Sequence, residues 1–121
     1  MALKDELEKA RRWAYNNLAG KKVYQKDIDD FIHFNKAGIS HAIYARTYKE
    51  KIQLIYNAEK LIASSTLYSS ELDKKGRPDI KAVHKFVTNW EFKGKDYFVY
   101  IVVRETTKKF YYDHGIIKEK P

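Results

Sequence analysis

The sequence predicts an α+β domain in which N-terminal helices cover one face of an antiparallel sheet. Two observations carry this. Leu3, Leu7, Ala10, Ala14 and Leu18 recur at helical spacing with charged residues between them. The last third of the chain holds two runs rich in Val, Phe, Tyr and Trp, separated by Lys93-Gly94-Lys95-Asp96, which reads as a hairpin. A chain of 121 residues, 44% of them hydrophobic, with five Gly and two Pro, has material for one folded core and not for two.

Taken in order, residues 2–18 form an amphipathic helix that Gly20 stops. Within Asp27 to Phe34 the side chains of Ile28, Ile32 and Phe34 share one parity and predict a short strand. Asn35 caps a following helix with Gly38 in its first turn and His41 on it. Thr47-Tyr48-Lys49-Glu50 has the capping-box pattern, so residues 48–63 should be helical, with Ile52, Ile55, Tyr56, Ala58 and Ile62 as the apolar stripe. A short strand at 65–68 and a charged loop over 69–79 follow.

For the hairpin, Gly94 and Lys95 are the expected central residues of a type II′ turn. That register sets Phe92 opposite Tyr97, Trp90 opposite Val99, Thr88 opposite Ile101, Phe86 opposite Val103 and His84 opposite Glu105 on the core side. The other side pairs Lys85 with Arg104, Val87 with Val102 and Asn89 with Tyr100, a half-polar face that is basic and aromatic. A third strand runs from Phe110 to Ile117; no Gly or Asn in the preceding turn fixes its register.

Lys and Arg number 24 against 16 Asp and Glu, a net charge of +8, so the surface attracts phosphates, anionic lipids or an acidic partner. The absence of cysteine excludes disulfides, thiolate zinc sites and a cysteine nucleophile, and leaves the redox compartment open. No apolar run approaches the roughly 18–20 residues of a membrane span, and Met1 to Gly20 is too charged for a secretory signal. A soluble monomer without membrane contact is the expectation.

The four histidines show no His-x-x-x-His spacing, and Asp27-x-Asp29-Asp30 lacks the Gly and distal Glu of a calcium loop, so neither a metal nor a cofactor is expected. Glycine-rich phosphate loops and a Gly-x-Ser-x-Gly elbow are also missing. The His, Lys, Arg and Tyr that remain suffice for metal-free RNA cleavage. A base takes the ribose 2′-OH proton, an acid protonates the leaving 5′-oxygen, and a cation stabilises the phosphorane. Each histidine also has a plainer reading. His33 fits a surface strand position, and His41 a helix face. His84 opposite Glu105 is either a structural pair or an imidazole oriented for proton transfer. His114 in Tyr111-Tyr112-Asp113-His114 either belongs to an acid/base cluster or ends a strand. Lys85 and Arg104 as facing like charges would be relieved by a bound phosphate.

Ile32-His33-Phe34-Asn35-Lys36-Ala37-Gly38-Ile39-Ser40-His41, the long helix after it, His84-Lys85-Phe86, the Lys93-Gly94-Lys95-Asp96-Tyr97 hairpin, Val102-Val103-Arg104-Glu105 and Tyr111-Tyr112-Asp113-His114 together resemble a nuclease superfamily. It comprises the phage-associated and polymorphic-toxin domains grouped with barnase, EndoU, colicin and RelE nucleases. The resemblance spans residues 20–118 and implies helices on a four- to five-stranded antiparallel sheet, with metal-independent cleavage of tRNA or mRNA. It implies residues 21–121 as the nuclease-like domain and 1–20 as a helix linking to a larger parent. By position it implies His41 as base, His84 or His114 as acid, and Arg104 as a catalytic cation. Lys36, Lys85 and Arg46 become RNA contacts, and Tyr112 a stacking or positioning residue. Such domains are bacterial or phage-encoded, act in the cytoplasm, are delivered as parts of secreted or phage-borne proteins, and are held by an acidic immunity protein.

Beside the ribonuclease reading stand a non-catalytic RNA- or protein-binding module and a structural adaptor of a phage or mobile element. A nuclease needs a histidine whose loss abolishes turnover while affinity survives; a binder loses affinity uniformly as cations are removed.

Overall fold

The computed structural model describes residues 3–44, 49–73, 76 and 79–121. Helices α1 (Leu3–Asn17), α2 (Lys36–Tyr44), α3 (Lys49–Tyr56) and α4 (Ala58–Ser64) pack on a sheet of β1 (Lys22–Gln25), β2 (Asp30–His33), β3 (Thr66–Leu72), β4 (Ile80–Phe92), β5 (Lys95–Thr106) and β6 (Phe110–Glu119). The α+β class and the helical layer on one face are as the sequence predicts. The sheet differs: it has six strands in the order β1-β2-β6-β5-β4-β3, and β2 runs parallel to β6.

Helix α1 buries Ala10 and Ala14, Leu18 is buried just past its end, and the chain exit is fixed by Gly20 at φ +87, whose N–H donates to the Phe34 carbonyl at 2.9 Å. Residues 1–20, expected to link to a larger parent, thus contribute Ala14 and Leu18 to the same core as the sheet. Asn35 caps α2 as the sequence indicates, its Oδ1 accepting the Gly38 N–H at 2.8 Å. The helix expected over 48–63 is broken at Asn57, whose side-chain amide donates to the Gln53 carbonyl and competes with the helical ladder there. The capping box begins at Thr47 and Tyr48, which lie outside the described residues.

The β4–β5 hairpin carries a correction. Its turn is Lys93-Gly94, both at positive φ (52° and 77°), as type I′ requires, and not Gly94-Lys95. The pairs are Phe92 with Lys95, Trp90 with Tyr97, Thr88 with Val99, Phe86 with Ile101 and His84 with Val103. A shift of two residues keeps the strand alternation, so Phe86, Val99, Ile101 and Val103 still face the helices and join Ile39, Ile43, Leu54, Ile55 and Ile62 in one core. Lys85 now lies opposite Val102, and Arg104 opposite Val83, so these two cations do not face each other.

Strand β1 is the element that the sequence conceals, because its inward position is Gln25. That side chain is fully buried; its Nε2 donates to the Ser65 carbonyl at 2.6 Å, and its Oε1 accepts the Asp27 N–H. Asp27 in turn accepts the Leu67 N–H of β3 at 2.7 Å. β1 and β3 are the two edge strands, so these bonds draw the sheet's edges together and curl it around its helices. Among the described residues no helix is long and apolar enough to cross a membrane.

Candidate active site

β2 pairs with β6 only at Ile32 with Phe110 and His33 with Tyr111; the chain then turns into α2, which runs beside β6 where that pairing stops. Gly38 makes this approach close, since a Cβ there would lie 2.2 Å from the Tyr112 carbonyl oxygen. At the same point β6 carries a bulge. Tyr112 lies opposite Val103 and His114 opposite Val102, with Asp113 as the extra residue between them. Simple alternation would put Tyr112 and His114 on one face. The inserted residue instead keeps Tyr112 in the core and sets His114 in the cross-strand row of Val102 and Lys85, within reach of His41 on α2.

The bulge and α2 together assemble a cluster around Asp113. Its Oδ2 accepts a hydrogen bond from His114 Nδ1 at 2.6 Å and lies 3.4 Å from His41 Nε2. The two imidazole rings are 5.3 Å apart in an edge-to-face arrangement. Arg104 Nε stands 3.0 Å from Oδ1, but its N–H is not aimed along that line, so the contact is an ion pair and not a linear hydrogen bond. His41 is 52% exposed, whereas Asp113 is only 17% exposed, so the carboxylate forms the floor of the cluster and His41 its solvent side.

Burial pushes the Asp113 carboxyl up. The His114 hydrogen bond and the positive charges of His41, His114 and Arg104 outweigh that and hold it below the ordinary carboxylate value. A carboxylate with a depressed folded-state value contributes stability above its unfolded value of about 4 and loses that contribution as pH falls through the folded value. Asp113→Asn is therefore expected to cost about 1–2 kcal/mol at pH 7, with the gap to wild type closing in acid. Chemical denaturation of both proteins at pH 7 and pH 3 checks this; an equal gap at the two values contradicts it.

Of the residues singled out in the sequence, His41, His114 and Arg104 are thus brought together, and Asp113 is the partner that sequence reasoning left without a role. His84 lies apart. It is on the core-side parity of β4, with Nδ1 2.7 Å from Ser70 Oγ and Nε2 2.7 Å from Glu105 Oε1, and Lys81 is 3.6 Å from the same carboxylate. The His84–Glu105 pair expected from sequence exists, as a diagonal contact, but both ring nitrogens are engaged away from His41. Tyr112 is a correction: it is 3% exposed, packed on Phe34, with burial raising its hydroxyl pKa, so its ring is not available to stack on a base. Lys85 shares a cross-sheet row with Val102 and His114, about 10 Å from the latter at two strand spacings. Lys36 opens α2 with its Nζ 5.5 Å from the Tyr15 ring, while Tyr15 hydrogen-bonds Ser40. Arg46 lies outside the described residues. His33, beside Tyr111, has its pKa lowered by partial burial and by Lys109 and Lys22.

The absence of local metal-ligand spacing in the sequence did not foresee that His41, Asp113 and His114 place donor atoms within 4.8 Å of one another. They come from a helix and a bulge that only the tertiary fold joins.

Residues 1–112 match the family model of large polyvalent protein-associated domain 3. The chain belongs to that family of phage-associated domains. No curated protein and no solved structure matches it.

Proposed function

For this polyvalent-protein-associated domain, we propose metal-independent cleavage of RNA at the Asp113 cluster. The observation that carries the reading is that two imidazoles from different elements meet on one carboxylate beside an arginine, at the margin of a basic sheet face. His41, the solvent-exposed imidazole, takes the proton of the ribose 2′-OH, and the 2′-oxygen attacks phosphorus. His114 carries the proton that the departing 5′-oxygen receives, through Nε2, since Nδ1 is held by Asp113. The products are a 2′,3′-cyclic phosphate and a 5′-hydroxyl. Asp113 orients both rings, and the terminal nitrogens of Arg104 contact the phosphate as charge builds on the phosphorane. Lys85 and Lys36 are assigned to the RNA backbone.

A net charge of +8 supports RNA as substrate, and equally supports an acidic immunity protein if the domain is the effector of a toxin. One set of contacts favours a second reading, an RNA-binding module without turnover. Lys22 lies 4.4 Å from the Phe31 ring beside the start of β6, and at the far end of that strand Lys118 lies 5.7 Å from Tyr100 and Lys120 4.8 Å from Phe98, basic and aromatic pairs of the kind that hold single strands. Incubation of the domain with total tRNA and a single-stranded RNA in EDTA separates the two. The nuclease yields fragments with 2′,3′-cyclic phosphate ends. Intact RNA with tight, salt-dependent binding establishes the binding module instead.

A further inference from the structure

The Asp113 cluster has a second chemical capacity. His41 Nε2, Asp113 Oδ2 and His114 Nδ1 converge with Oδ2 common to both short contacts, 3.4 Å and 2.6 Å. In a tetrahedral zinc site, metal bonds of about 2.0–2.2 Å put donors about 3.3 Å apart. The His41 contact already has that spacing. The His114 contact must open by less than about 1 Å and the two imidazole nitrogens, within 4.8 Å of each other, must close by up to about 1.5 Å, which rotations of the exposed His41 and of two neighbouring side chains on a bulge can supply. Arg104 holds Oδ1, the oxygen the ion does not need, and so keeps Oδ2 turned toward the imidazoles, as outer-shell partners of metal ligands do. The exposed side of His41 leaves room for water as a fourth ligand and a path of entry. Two imidazole nitrogens and one carboxylate oxygen suit zinc and its transition-series neighbours, not magnesium or calcium, which take oxygen shells.

We infer that His41, Asp113 and His114 form a binding site for a divalent transition ion, with zinc as its ligand, and that zinc there inhibits the domain. Inhibition rests on the ribonuclease reading: the imidazoles assigned to proton transfer are the ones whose lone pairs the ion takes. The binding site itself does not rest on it. The Arg104 charge opposes the ion, so zinc is held reversibly and released to EDTA.

The test uses the whole chain stripped of metal. Co2+ is titrated for the visible absorption of a four- or five-coordinate site, and Zn2+ is measured by competition with a chromogenic chelator. Wild type should bind one equivalent of each, with Mg2+ in excess failing to compete. His41→Ala, Asp113→Asn and His114→Ala should each weaken zinc at least tenfold, and His84→Ala should not. His41 is exposed, so its alanine variant keeps the fold and the comparison stays decisive. Zinc bound equally well by His41→Ala and Asp113→Asn overturns the site. In the RNA assay, cleavage should fall in proportion to zinc occupancy and return with EDTA. Stimulation by zinc overturns both inhibition and the metal-free mechanism. A wild type that never cleaves RNA overturns inhibition together with the ribonuclease reading, while the metal titration still decides the site.

Discussion

Alanine at His41 or at His114 is expected to lower RNA cleavage by about 10²–10⁴-fold, with RNA affinity changed only a few-fold. Each ring supplies one proton transfer in the proposed scheme, and neither is the main source of positive charge on the sheet face. Because both act through the same carboxylate, the double variant should lose far less than the product of the two single losses. His84→Ala should retain most of its activity, since His84 is engaged with Ser70 and Glu105. Single-turnover cleavage with a labelled RNA, alongside filter binding of the same RNA, reads both quantities. Loss of affinity in step with loss of cleavage would assign these histidines to binding.

The second large effect concerns the backbone that holds His41 in place. Gly38→Ala would put a Cβ 2.2 Å from the Tyr112 carbonyl oxygen and 3.1 Å from Asn35 Oδ1. The first contact is with backbone, which has no rotamer to move. α2 must therefore retreat from β6, and we expect a loss of about 3 kcal/mol, at the upper end of overpacking costs. The sign is the informative part. Helix propensity alone favours Ala over Gly by about 1 kcal/mol, so without this contact the substitution would stabilise. Retreat of α2 also separates His41 from Asp113, so cleavage should fall even at temperatures where the variant is folded. Denaturant unfolding with a midpoint at or above that of wild type contradicts the close approach.

What could be read from the chain follows from which forces are local. Alternation and turn residues made β4 and β5 legible, and even a register wrong by two residues kept every side chain on its proper face, because the strand period is two. The cap of α2 was legible because Asn35 acts within three residues. Asn57 broke the helix expected over 48–63 through a side-chain bond to the preceding turn, a competition that periodicity does not register. β1 was hidden by a buried glutamine whose partner, Ser65, is far along the chain. The cluster was half legible. His41, Arg104 and His114 were marked by residue type, but the bulge that sets His114 within reach of His41 while Tyr112 stays in the core has no local signal. For the same reason the sequence assigns Asp113 no role and offers Tyr112 as a stacking or positioning residue.

We propose that the cluster built by α2 and the β6 bulge is a metal-free ribonuclease site. Its most direct test is the single-turnover rate on a single-stranded RNA in EDTA, measured for wild type and for His114→Ala shown to be folded, with analysis of the product ends. Wild type should cleave to 2′,3′-cyclic phosphate ends, and the variant should lose at least about 100-fold with binding retained. No cleavage by folded wild type, or cleavage by His114→Ala at the wild-type rate, contradicts it.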